Sequence, residues 1–124
     1  MKKILCALAL TVAASCGALG TSTGYKPSNV AEAVTIVVDR HDGYVSADAN
    51  LDDAQRAAYL GESAAVRSLL SLDPIPKAEF NSALPPVLDR TDAYVLADTS
   101  LTAPQQVQRS RTTALLRKLI QSNP

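Results

Sequence analysis

Two stretches of this chain gather side chains of the kinds that acid–base, metal or nucleophilic chemistry uses. Val37 to Asp48 reads VVDRHDGYVSAD, and Val87 to Asp98 reads VLDRTDAYVLAD; eight of the twelve positions are identical without a gap. Each copy brings two Asp, an Arg and a Tyr close together, Asp39, Arg40, Asp42 and Tyr44, then Asp89, Arg90, Asp92 and Tyr94, and ends on a third Asp, Asp48 or Asp98. The first copy adds His41, the single His of the chain. Neighbouring carboxylates can divide the roles of general acid and general base, and a His beside an Asp can hold a metal ion or move a proton. The competing reading is that the same residues close helix–helix contacts and form polar faces.

The elements that position these residues follow from the repeat. The alignment at an offset of fifty also pairs Val34 with Leu84, Leu51 with Leu101, Gln55 with Gln105, Arg67 with Arg117 and Leu69 with Leu119. A unit of that length with one break suits a helix–loop–helix hairpin. Val30, Val34, Val37/Val38, His41 and Tyr44/Val45 recur at helical spacing, as do Leu84, Val87/Leu88, Thr91 and Tyr94/Val95. Ser28 is expected to cap the first helix, and Pro85-Pro86 to lie in the first turn of its counterpart. Asp52 with Gln55 and Thr102 with Gln105 match capping boxes, with Leu51 and Leu101 placed as staples. The second helices are expected over about Asp53–Leu72 and Ala103–Gln121. Their apolar stripes are read as Ala57, Leu60, Ala64, Ala65, Leu69, and Val107, Ala114, Leu115, Leu119. One hairpin cannot bury its apolar face on both sides, and two can bury theirs against each other.

The expected fold is therefore all-α: two tandem helix–loop–helix repeats, 29–73 and 79–123, form an antiparallel four-helix bundle within a helical domain over 29–124. A signal peptide over 1–15 and a flexible tether over 16–28 precede it. Lys2 and Lys3 open the chain, and Ile4 to Ala14 is apolar but for Thr11, the length of a secretory h-region. Ala13-Ala14-Ser15-Cys16 resembles the bacterial lipobox, with Ala13 where Leu is usual; the resemblance implies cleavage before Cys16 and its lipidation. Cys6 falls in the leader, so the processed chain has no second thiol for a disulfide. By the same resemblance, Gly17 after the cysteine, where inner-membrane lipoproteins of enteric bacteria carry Asp, implies the outer membrane, facing the periplasm; a soluble periplasmic or secreted form is the alternative.

Composition narrows the function. Lys plus Arg and Asp plus Glu are each twelve, so no net field favours nucleic acid. No segment has the ~20 apolar residues of a spanning helix. His41-Asp42 is similar to the adjacent pair of metal-dependent phosphohydrolases, but those enzymes need several His ligands and this chain has one. His41 also falls on the apolar stripe. Asp48 and Asp98 fall near helix ends, where loop amides can meet a carboxylate. Arg67 and Arg117 are placed towards the far ends of the second helices, away from the acids of the motif. The basic last helix, with Arg109, Arg111, Arg117 and Lys118, faces either the acidic first helices or an anionic partner. The expectation is an exported, lipid-anchored, non-enzymatic protein without cofactor or metal, which binds an envelope protein or a second copy of itself. Its candidate surface is Asp39, Arg40, Asp42, Tyr44, Asp89, Arg90, Asp92 and Tyr94. The alternative is a metal-binding or hydrolytic enzyme centred on Asp39, His41 and Asp42.

Overall fold

Val30, Val34, Val37, Val38, His41 and Val45 are spaced so that one side of a helix carries all six. In a computed structural model, which describes residues 24–124, they are the buried face of α1, Pro27–Ala47. α2 is Asp53–Leu70, α3 is Lys77–Ala97 and α4 is Ala103–Ser122. The buried residues of α3, Phe80, Leu84, Val87, Leu88, Thr91 and Val95, each lie fifty positions after those of α1. Ser63 and Val66 of α2 likewise match Thr113 and Leu116 of α4. The expected signal peptide, Cys16 and the expected tether up to residue 23 lie outside the described residues.

The two hairpins form the expected four-helix bundle, and the repeat is also its symmetry. A two-residue strand, β1 (Gly24–Tyr25), pairs antiparallel with β2 (Ile75–Pro76), and Tyr25 meets Ile75, its own counterpart at an offset of fifty. At the other end the Tyr44 and Tyr94 rings stack with centroids 5.3 Å apart. α1 and α3 thus meet at both their starts and their ends and run parallel across the bundle. α2 and α4 return antiparallel, each against both of them. An approximate two-fold axis runs down the bundle, through the ribbon and the Tyr stack. The core around it is built from the Val and Leu of α1 and α3 with Phe80, Ile75, Tyr25, Val66 and Leu116.

The ribbon revises the start of the fold. Residues 24–28 fall within the expected tether, yet Tyr25 is buried, edge-on to Phe80, and its hydroxyl donates to Asn81 at 2.7 Å. The linker residue Ile75 is fully buried. A Cβ on Gly24 would sit 2.6 Å from the Pro74 Cβ, so the close approach of the two chains needs glycine there. Ser28 is not the cap of α1. Lys26 occupies that position without a side-chain bond, and Pro27 opens the helix, where a missing N–H costs nothing and φ is already helical. Pro85 and Pro86 are not in a first turn but inside α3, more than two turns from its start. They occupy the positions of Thr35 and Ile36, off the buried stripe. Burial of Phe80 and Leu84 carries the helix N-terminally past them despite the lost hydrogen bonds.

The packing faces of α2 and α4 also differ from expectation. Ala57, Ala64, Ala65, Val107, Ala114 and Leu115 are exposed, and Leu60, Leu69 and Leu119 are only half-buried. The tight contact is made instead by Ser63 with Val66 and by Thr113 with Leu116. Both hydroxyls bond a carbonyl of their own helix, Ser63 to Leu60 at 3.0 Å and Thr113 to Ser110 at 2.9 Å. A small side chain whose polar atom is satisfied locally can be buried at little cost.

Both capping boxes are complete. Asp52 accepts from the Gln55 amide at 2.7 Å while the Gln55 side chain accepts from the Asp52 amide at 3.0 Å. Thr102 and Gln105 repeat the exchange. Leu51 and Leu101 are half-buried beside them. Arg56 closes the preceding turn by donating to the carbonyls of Val45 (2.7 Å), Asp48 (3.0 Å) and Leu51 (3.1 Å). This sets a cation on the negative end of α1; Gln106 holds only the Val95 carbonyl. Asp52→Ala and Thr102→Ala should each lower stability by about 1 kcal/mol. The urea midpoint should fall at an unchanged denaturant slope.

Candidate functional site

At the loop end, each Tyr of the motif reaches across the axis. The Tyr44 hydroxyl donates to Asp98, and the Tyr94 hydroxyl to Asp48, both at 2.7 Å. The rings are nearly parallel, with 10° between planes. Asp48 and Asp98 end α1 and α3, and each also accepts from a loop amide, Asn50 at 2.9 Å and Ser100 at 3.0 Å. The hydrogen bond from Tyr94, with the Asn50 amide, holds Asp48 below its ordinary carboxylate value. Asp98 is held down first by Ser100 and then by Tyr44. Burial, reinforced by Asp48, pushes the Tyr94 phenol up to about 12; burial also raises Tyr44. The tyrosines of the candidate surface are therefore bound to each other's hairpin. Tyr94 should ionise near pH 12 and not near 10, read by ultraviolet absorbance. The folded state should lose stability between those values, because the unfolded chain releases the proton first.

His41 is fully buried and both its ring nitrogens are engaged. Nδ1 lies 2.9 Å from Asp42 Oδ1, and Nε2 lies 3.1 Å from Arg90 Nη1. Arginine only donates, so Nε2 must accept; the carboxylate only accepts, so Nδ1 carries the proton. The imidazole is thus neutral. Burial lowers its proton affinity, partly offset by Asp42. From it a polar chain runs through three helices. Arg90 donates to Glu62 at 2.7 Å with its guanidinium 3.7 Å from the Tyr59 ring centre. Asp42 accepts from Arg67 at 2.9 Å, and Arg67 also donates to Asp39 at 2.9 Å. Burial alone would raise Asp42, but hydrogen bonds from Ser63, His41 and Arg67 outweigh it and bring its proton affinity down. The Ser63 hydroxyl is a rotor that serves either Asp42 or the Leu60 carbonyl.

Arg67 and Arg117 are therefore not remote from the motif. Arg117 repeats the first fork, donating to Asp89 at 2.8 Å and to Asp92, and the one Thr113 hydroxyl proton is shared between Asp92 at 2.6 Å and the Ser110 carbonyl. Antiparallel return along the hairpin, with the reach of an arginine, brings them together. Asp39 and Asp89 are mostly exposed, so these forks orient the hairpins more than they stabilise them. The equivalence of Arg67 and Arg117 in the repeat was the signal for this role. Tyr59 and Glu62 are the partners that spacing did not single out, because Arg109 and Thr112 stand in their places in the second repeat.

The eight candidate residues thus divide into three arrangements: the Tyr–Asp exchange at the loop end, the Arg forks on each hairpin, and the two motif arginines. Arg90 lies inside its own set of partners. Arg40 lines a cleft of about 480 Å³ with Asp39, Gly43, Tyr44 and Arg109. Among the described residues no group of three or more His, Cys, Asp or Glu side chains is placed to hold a metal ion. No described helix is long and apolar enough to cross a membrane. Comparison with protein-family models, curated proteins and solved structures finds no match to this chain.

Proposed function

We propose that this chain is an exported, lipid-anchored binding protein of the bacterial cell envelope, and that the outer face of its second hairpin meets a protein partner. The observation that carries the reading is an asymmetry between the hairpins: the first exposes Ile36 and Leu72 at 44% and 46%, and the second exposes three large apolar side chains more fully. Leu96, Val107 and Leu115 are 75%, 56% and 62% exposed, where the first hairpin has Ser46, Ala57 and Ala65. Val107, Arg111, Leu115 and Lys118 follow each other at helical steps along α4, and all four are exposed. A row of large apolar side chains among cations suits a partner with an acidic, partly apolar face.

The chemistry-bearing residues of the motif point the same way. His41 is sealed in the core, the motif carboxylates are held by arginines or tyrosines, and the tyrosines stack on each other. Their work is to set the geometry of the bundle. The described chain begins at the ribbon end, and α1 is ~31 Å long at 1.5 Å per residue over its 21 residues. The ribbon end and the loop end, with Leu96 and Val107, are therefore about that far apart. The test is photo-crosslinking in cells from a reactive residue placed at Val107 or Leu115. It should capture one defined protein product, with none from Ala57 or Ala65. Equal capture from both hairpins would overturn the reading, and a product of two copies of this chain would assign the face to self-association. Mass analysis of the processed N-terminus should find acyl chains on Cys16; an unmodified thiol there would remove the anchor.

A further inference from the structure

The two motif arginines occupy equivalent places in the bundle and have opposite surroundings. Arg90 has a carboxylate, an aromatic face and an imidazole: Glu62 at 2.7 Å, the Tyr59 ring at 3.7 Å and His41 Nε2 at 3.1 Å. Fifty residues away, each of these partners is replaced. Thr112 stands for Glu62, Arg109 for Tyr59 and Thr91 for His41. The Thr91 hydroxyl is committed to the Val87 carbonyl at 2.7 Å. Arg40 Nη1 is buried and has no hydrogen-bond partner among the described residues. Burial, and then the charge of Arg109, lowers its proton affinity.

The cleft of about 480 Å³ beside Arg40 is lined by Arg109, Tyr44, Gly43 and Asp39. Arg109 donates to the Tyr44 hydroxyl at 2.9 Å, which leaves its other donors available. A Cβ on Gly43 would meet nothing within 4 Å, so that wall is open. The one acid in the lining, Asp39, is held by Arg67 at 2.9 Å. Two guanidinium groups thus share a cleft whose one lining carboxylate is turned to Arg67 and bonds neither of them. An unpartnered buried donor is costly, and Arg40 Nη1 has no hydrogen bond to give up to an incoming acceptor.

We infer that the Arg40–Arg109 cleft is a binding site for a carboxylate presented by a peptide, an acidic side chain or a chain terminus. That group would take, on Arg40, the place that the Glu62 side chain takes on Arg90. Arginine forks match carboxylates in geometry as well as charge. The inference deepens the binding reading above by naming the chemistry that the partner offers. It concerns a different surface from the exposed row of α4.

The test titrates the purified protein with N-acetyl-glutamate amide, its neutral glutamine analogue and inorganic phosphate. The Arg40 and Arg109 side-chain N–H resonances are followed by NMR. The glutamate compound should give saturating shifts in the millimolar range expected of a single small contact, and the glutamine compound none. Thr112→Glu restores the acid of the first repeat. It should raise the thermal midpoint and weaken glutamate binding at least tenfold. Arg109→Tyr, which restores the other partner, should weaken binding to a similar extent and serves if the first variant does not fold. No saturating shift, unchanged binding in these variants, or a phosphate response as strong as that to glutamate would overturn the site. Cross-linking from Leu115 that survives Thr112→Glu would keep the partner reading while removing this site from it.

Discussion

Phe80→Ala should lower the stability of the domain by about 3–5 kcal/mol, the range for truncating a buried phenylalanine. Phe80 is the chain's single Phe and the largest fully buried side chain of a core made mostly of Val and Leu. It packs edge-on against Tyr25 with ring centres 5.3 Å apart, and so ties the β1–β2 ribbon to α3. Its counterpart in the first repeat is Val30, so the aromatic fills space beside the axis that no equivalent residue fills from the other side. At about 4–8 °C per kcal/mol for a domain of this size, the melting temperature should fall by roughly 12–40 °C. Phe80→Leu should cost under about 1.5 kcal/mol, because most of the volume remains. A loss below about 1 kcal/mol for the Ala variant in a urea titration would contradict the packing described here.

The second large effect concerns His41, where stability and pH are linked. His41→Ala removes a buried ring and leaves Asp42 and Arg90 each short of a partner. The expected cost at pH 7 is about 3 kcal/mol, from the cavity together with the stranded polar groups. The wild-type protein should also lose stability as pH falls below 6.5. The folded-state proton affinity of His41 is lowered by burial, so in that window the unfolded chain binds a proton that the folded chain refuses. The charged groups facing the ring act in both directions: Asp42 and Glu62 favour the imidazolium, and Arg90 opposes it. Asp42, Asp48 and Asp98 are all lowered below 3.8, and their contribution is lost only as pH falls below that value. His41→Gln keeps a donor and an acceptor in the core but cannot titrate. Urea midpoints at pH 7.5, 6.5 and 5.5 should fall for the wild type and stay flatter for His41→Gln. Parallel profiles would show that the ring is not held neutral as described.

The hairpin architecture was legible because its signals are local. A capping box lies within four residues, and helical spacing of Val, Leu and Tyr lies within a few turns. Repetition at an offset of fifty doubled each signal. The bundle then followed from the need to bury two similar faces. The misplaced features have an equally plain cause. Pro85-Pro86 looks like a helix start to any local rule, and only burial of Phe80 and Leu84 on the core side extends α3 through it. Ser63 and Thr113 look like surface residues, and only an available carbonyl one turn back makes them suitable for tight contact.

The site divides along the same line. Sequence alone determined the chemical inventory of the motif, the single His on an apolar stripe, the paired carboxylates near the helix ends and the equivalence of Arg67 with Arg117. Tertiary structure decided what each group meets. Tyr44 reaches Asp98 and Tyr94 reaches Asp48 across an axis that exists only once the hairpins dock. Arg40 and Arg90 are the same residue in the same motif, yet one is satisfied and the other is not. The difference comes from residues 59, 62, 109 and 112 on the returning helices and from His41 against Thr91 on the facing ones. Side chains on separate elements become partners through space, and spacing along the chain records only the neighbours within an element.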